Sequence, residues 1–119
     1  MNNIAPHILR QRLLIEGFFF VSVQEETIRD YLYKIAAHLN LKTYGEPIIF
    51  SPEGMGKEEN QGYDAFIPLI DSGISLYIWS HEKFLSAFLY TCKYFDNNEA
   101  LQYTQKFFKL REDFVSHSF

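Results

Sequence analysis

The chain has 119 residues, 47% hydrophobic and 22% charged, with a formal net charge of −4 at pH 7. This length and balance give one ordinary globular domain over 1–119 with a modest core, and they exclude a disordered chain. The negative charge argues against non-specific binding to nucleic acid or to an anionic membrane, and no apolar run approaches the ~20 residues of a membrane-spanning helix.

The aromatic content is high, with 12 Phe, 8 Tyr and 1 Trp. A surplus of this kind belongs more often to core and subunit interface than to a ligand cage, which points to a homo-oligomer. The single cysteine, Cys92, excludes an intrachain disulfide and suits a reducing compartment. Met1–Gln11 contains no uninterrupted apolar segment of the secretory type, so the expected location is the cytoplasm.

In chain order, Leu13–Val21 is β-rich and almost continuously apolar, which predicts a strand covered on both faces. Ser22 with Glu25 reads as a capping box opening a helix over Val23–Asn40, whose apolar face is Ile28, Leu32, Ile35, Ala36 and Leu39. Thr43–Phe50 is a second strand, interrupted at Gly45-Glu46-Pro47. Ser51–Gly62, rich in Gly, Glu and Lys, reads as a mobile loop. Tyr63–Ile70 and Ile74–Trp79 are strands joined by a turn at Asp71-Ser72-Gly73, with Gly73 supplying a positive φ. Pro68 calls for an edge or a bulge there. Phe84–Cys92 is a further strand. Asp96 or Asn97 caps a last helix reaching Leu110, which buries Ala100, Tyr103 and Phe107. The tail to Phe119 carries no clear pattern. The order β-α-β-β-β-β-α predicts an α+β two-layer sandwich, a mainly antiparallel sheet with two helices on one face.

Asp71-Ser72-Gly73-Ile74-Ser75-Leu76-Tyr77-Ile78-Trp79, followed by Thr91-Cys92, resembles the core of the small bacterial S-adenosylmethionine decarboxylases. Ser72 falls on the serine that this family converts into a pyruvoyl cofactor, and Cys92 falls on its proton-donating cysteine at the family's own interval of twenty residues. The resemblance extends more weakly over Leu13–Phe108 and implies the decarboxylase-like fold. It also implies adenine stacking on Phe50, at the head of a Phe-x-Pro-x-Gly segment (Phe50, Pro52, Gly54), and a family tryptophan at Trp79. The family's ribose-binding glutamate falls on His81, or on Glu82 after a one-residue slip.

Several residues around the processing bond differ from the family pattern. Gly73 replaces a histidine, Tyr77 replaces the histidine used in self-processing, and Asp64 replaces a second processing serine. Losing an imidazole from a proton-transfer network costs about 10²- to 10⁴-fold. Processing through Ser72 would cut between Asp71 and Ser72, giving pieces of 71 and 48 residues. Without it no pyruvoyl forms and no cofactor is expected.

The sulfonium of S-adenosylmethionine is already an activated leaving group, so a pocket that folds the methionyl chain can drive lactone formation without a cofactor. Related small lyases act on S-adenosylmethionine in phages, or on its nucleotide conjugate, SAM-AMP, in CRISPR antiviral defence. That reading gives Asp64, Ser72, Tyr77 and Cys92 catalytic or orienting roles. Asp64 or an aromatic face would balance the sulfonium. Phe50, Lys57, Trp79 and His81 or Glu82 would bind substrate, and Lys57 or His81 would suit a ribose phosphate. Met55–Gly62 is an insertion relative to the family, beside the adenosine site. His7, His38 and His117 lack metal-ligand spacing, so no metal is expected. Three readings stand: a cofactor-free lyase, a pyruvoyl decarboxylase of polyamine synthesis, and an inactive ligand-binding homologue that regulates a partner.

Overall fold

A computed structural model describes residues 1–51 and 55–119, the side chain of Asn60 excepted. Six strands and two helices follow the order β1 (Gln11–Phe18), α1 (Glu25–His38), β2 (Ile48–Phe50), β3 (Gly62–Leu69), β4 (Ser72–Trp79), β5 (Phe84–Thr91), α2 (Asn97–Phe108) and β6 (Val115–Ser118). They form one antiparallel sheet in the order β2-β3-β4-β5-β1-β6.

Both helices cover one sheet face, because the period-2 pattern sends one set of side chains to that side. Ile15, Ile67, Ile74, Leu76, Leu85 and Leu89 are wholly shielded there, against Ile28, Leu32, Ile35 and Phe108 of the helices. The alternate set, including Phe18, Phe66, Tyr77, Trp79, Phe88 and Tyr90, lies on the opposite face, which no helix covers and where these residues are half-buried or exposed. β1 is therefore not covered on both faces as its apolar run suggested. Leu13 and Ile15 are buried while Leu14 and Phe18 are only half-buried.

Local chemistry departs from the sequence reading at several points. Helix α1 is capped at Gln24 rather than Ser22: the Gln24 N–H donates to Thr27 Oγ1 at 3.1 Å, and the Ser22 carbonyl accepts from the same hydroxyl at 3.4 Å. Asp96 caps α2, accepting from the Asn98 and Glu99 N–H groups. The face α2 buries is one position round from that expected, with Ala100, Thr104 and Phe108 inside and Tyr103 and Phe107 half-buried. Of Thr43–Phe50 only Ile48–Phe50 is strand, with a lone bridge from Thr43 to Leu69. Pro68 lies past the end of that short partner, where no ladder donor is needed. The loop expected over 51–62 holds a short 3₁₀ turn at Glu58–Asn60, and Gly62 belongs to β3. Pro52 and Gly54 of the expected Phe-x-Pro-x-Gly segment lie outside the described residues.

The β3–β4 turn is tighter than expected. Leu69 pairs with Ser72, leaving Ile70 and Asp71 as the turn. The positive φ falls on Ser72, at +123°, and not on Gly73. Gly73 instead gives room to a neighbour: a Cβ there would meet the Phe66 ring at 2.4 Å. The tail, unassigned from sequence, forms β6, whose Leu14–His117 and Glu16–Val115 pairs extend the sheet beyond β1.

Candidate functional site

Antiparallel register places Phe50, Asp64, Tyr77 and Ser86 in one row across β2, β3, β4 and β5 on the open face. Neighbouring strands sit about 4.8 Å apart, so the Asp64 carboxylate and the Tyr77 ring are side by side. Phe50 is 65% exposed, which excludes a core role for it, and Tyr77 is 40% exposed.

Two hollows flank the Asp64–Tyr77 pair. One, of about 320 Å³, is mainly apolar and is lined by Ile48, Phe50, Ala65, Phe66 and Ser75 together with the pair. The other, of about 410 Å³, adds Met55, Gly56, Lys57, Gln61, Ile78 and Trp79. Gln61 shapes the second hollow. Its Nε2 donates to the Met55 carbonyl at 2.6 Å and to the Lys57 carbonyl at 3.2 Å, and the Gln61 backbone carbonyl accepts from the Ser80 N–H at 3.1 Å. One residue, through its side chain and its backbone, thus ties segment 55–57 to the β3–β4 hairpin. Sequence reasoning missed Gln61, because a brace of this kind leaves no periodic or motif signal.

Ser72 and Cys92 meet at the far end of β4. Ser72 Oγ lies 3.4 Å from Cys92 Sγ, and the Cys92 N–H donates to the Asp71 carbonyl at 2.9 Å. Cys92 is exposed, so it is not a small core residue. Its neighbour Thr91 is wholly buried, and the Thr91 hydroxyl donates to the Lys93 carbonyl at 2.6 Å. The backbone of Ser72 is held where non-glycine residues are uncommon, a conformation costing about 1–3 kcal/mol that the flanking pairs to Leu69 and Thr91 enforce.

These two groups lie apart along β4 within a single chain. Five residues of extended strand separate Ser72 from Tyr77, or roughly 17 Å at ~3.3 Å per residue. His81 and Glu82 occupy the exposed β4–β5 turn. Glu82, rather than His81, lines a third hollow of about 370 Å³ with Phe18, Trp79 and Phe84. Its rings pack at a tilt, Trp79–Phe84 at 5.4 Å and Phe18–Phe84 at 5.1 Å between centroids. Trp79 borders both this hollow and that of Lys57. Among the described residues no three His, Cys, Asp or Glu side chains converge as a metal-binding group, and no helix is long and apolar enough to cross a membrane.

A family model described as S-adenosylmethionine decarboxylase matches residues 21–117. The crystal structure of the adenosylmethionine decarboxylase from Aquifex aeolicus VF5 is similar over 94% of this chain and 89% of that one. Its TM-score is 0.74 at 17% identity, a likeness of fold alone. No curated protein matches the sequence.

Proposed function

Because the chain belongs to the S-adenosylmethionine decarboxylase family, we propose that it is a cofactor-free lyase acting on S-adenosylmethionine or an adenylated derivative of it. The carrying observation is the Asp64–Tyr77 pair between two hollows, one mainly apolar beside Phe50 and the other carrying Lys57 and Gln61. A carboxylate and a phenol stand where the family resemblance calls for the serine and histidine of self-processing. Neither is the imidazole that the resemblance assigns to self-processing, and both are good anchors for a charged, flexible substrate.

In this reading the substrate's own carboxylate oxygen attacks the carbon bound to sulfur. The new C–O bond closes homoserine lactone, and the C–S bond breaks with its electron pair moving to sulfur, releasing neutral methylthioadenosine. No proton need move. The protein's task is to hold the folded chain in attack geometry, which in favourable intramolecular cases supplies up to about 7–11 kcal/mol. The sulfonium charge vanishes as the C–S bond breaks, so a carboxylate fixed on sulfur would favour substrate over transition state. Asp64 is better used on the ammonium, whose charge persists, while aromatic faces such as Phe50 and Tyr77 attend the sulfonium.

The open sheet face supports assembly of two copies through it. Phe66, Phe88 and their neighbours form a broad apolar surface of the kind that subunit interfaces bury. A homodimer, with the sites near its interface, is the assembly these features favour.

A pyruvoyl decarboxylase is the second reading, favoured by the Ser72–Asp71–Cys92 geometry. Ser72 Oγ stands beside a cysteine, its backbone is strained, and the Asp71 carbonyl is already polarised by the Cys92 N–H. The pyruvoyl would supply an electron sink for loss of carbon dioxide. One pair of measurements decides. The unmutated protein is weighed intact under denaturing conditions and then incubated with S-adenosylmethionine, and separately with its adenylated conjugate. A single 14.1 kDa chain releasing methylthioadenosine, or its adenylated counterpart, supports the lyase. Fragments of 71 and 48 residues with carbon dioxide release would establish the decarboxylase, and an uncut chain that binds without turnover would identify an inactive homologue.

A further inference from the structure

We infer that the hollow of Lys57, Gln61 and Asp64 is the binding site for the zwitterionic amino-acid end of the adenosyl substrate, directed along β4 away from Ser72 and Cys92. This rests on the proposed adenosyl substrate, and it assigns a part of that substrate to residues of the inserted segment.

Three observations carry it. First, the two hollows share Asp64 and Tyr77 but differ in chemistry: the Phe50 side is apolar, and the Lys57 side holds both signs of charge. An adenosyl amino acid has the same asymmetry, a flat base at one end and an ammonium with a carboxylate at the other. Second, among the described residues Lys57 forms no ion pair and Asp64 has no cationic partner. A zwitterion offers each of them its complement, carboxylate to Lys57 and ammonium to Asp64. Third, the two bonds donated by Gln61 Nε2 fix the orientation of its amide. Its shielded Oε1 is thereby an acceptor without a donor, an arrangement costly to leave unmatched. Gln61 itself lines the hollow, so this unmet acceptor belongs to the wall of the proposed subsite.

A phosphate fits less well. It would meet one lysine and the Asp64 carboxylate together, where recognition of phosphate normally recruits several donors. Lys57 therefore reads as a carboxylate anchor and not as the contact to a ribose phosphate considered from sequence.

Calorimetric titration of the full chain with two uncleavable probes tests this. S-adenosylhomocysteine keeps the zwitterionic end, and 5′-methylthioadenosine lacks it. Lys57→Glu should weaken S-adenosylhomocysteine binding by at least about fivefold, the equivalent of one exposed ion pair, while leaving methylthioadenosine within twofold. Lys57→Arg should restore most of the loss. Equal weakening of both probes, or no change in either, would overturn the inference. So would a loss on Lys57→Glu confined to an adenylated conjugate, since that places the phosphate at Lys57. Neither probe turns over, so these outcomes are independent of whether the protein proves to be a lyase. Selective weakening without cleavage of S-adenosylmethionine would retain the subsite and discard the lyase.

Discussion

Asp64 and Tyr77 face each other directly across the β3–β4 hairpin, a pairing set by the two-residue turn at Ile70 and Asp71. Both side chains are exposed, so replacing them should disturb the site and not the fold. Asp64→Asn is expected to lower kcat/KM for methylthioadenosine release about 10²-fold, the cost of a misplaced reacting chain. Tyr77→Phe should cost about tenfold, the worth of one charge-assisted hydrogen bond. If the two residues hold one substrate group, the double variant should lose little more than Asp64→Asn alone. Steady-state assays on the three variants, with thermal unfolding as control, measure this. Strictly multiplicative losses would show that the pair does not act as a unit.

The register behind that pair was open to reading from the alternation of residues. Ile74, Leu76 and Ile78 must share a buried face with Ala65, Ile67 and Leu69, and only the shorter turn lets them do so. A three-residue turn at Asp71-Ser72-Gly73 would instead have moved the apolar set of β4 to the Asp64 side. The meeting of Ser72 with Cys92 was legible too, because the interval of twenty residues spans β4, its turn and β5. What local sequence could not show was tertiary. β6 has no buried residue of its own and exists through pairing with β1, and Gln61 acts on a loop four to six residues away. The α2 face shifted because Thr104, polar by composition, is buried by its hydroxyl bonds to Tyr31 and to the Ala100 carbonyl.

Two glycines of the same hairpin should differ sharply in tolerance. A Cβ on Gly73 meets the edge of the Phe66 ring, which is 40% exposed and can swing outward. Gly73→Ala should therefore cost about 1 kcal/mol, at the low end of overpacking. A Cβ on Gly62 would sit 1.8 Å from the Ile78 carbonyl oxygen, and backbone cannot swing aside. Gly62→Ala should cost about 3 kcal/mol or more and loosen the β3–β4 pairing beside Lys57 and Trp79. Urea unfolding of both variants gives the comparison. Equal destabilisation would mean that Phe66 is held as firmly as the backbone.

Association through the open sheet face makes a separate prediction. Phe88 lies near the centre of that face, beside Leu14 on one strand and Ser75 on the other, and stacks on Phe119 at 5.9 Å. Phe88→Glu places a charge where two copies would meet, at a cost of several kcal/mol if the carboxylate is buried unpaired. Sedimentation should show the unmutated protein as a dimer and Phe88→Glu as a folded monomer. An unchanged dimer in the variant would move the interface elsewhere.

Tyr31 supplies a test of the core that depends on pH. Its ring is fully buried between the two helices, and its hydroxyl lies 2.8 Å from Thr104 Oγ1. The Thr104 hydroxyl donates onward to the Ala100 carbonyl at 2.8 Å, so Tyr31 is the donor in the first bond. Burial pushes the Tyr31 hydroxyl well above the ordinary phenol value of 10.0, outweighing the opposite pull of Thr104. The folded state therefore keeps this proton where the unfolded chain has released it. Its contribution to stability is constant below about pH 10 and is lost as pH rises above that, by up to ~1.4 kcal/mol per pH unit. At pH 7 Tyr31→Phe should be less stable than the unmutated protein by about 1 kcal/mol, the net worth of the hydrogen bond. Near pH 11 the order should reverse, because the variant has no proton to lose at this site. Thr104→Val should cost more than Tyr31→Phe at pH 7, about 1–3 kcal/mol, since it strands the buried Tyr31 hydroxyl. Urea unfolding of the three proteins between pH 7 and 11 measures the crossing. Parallel stability curves would mean that the Tyr31 hydroxyl reaches water.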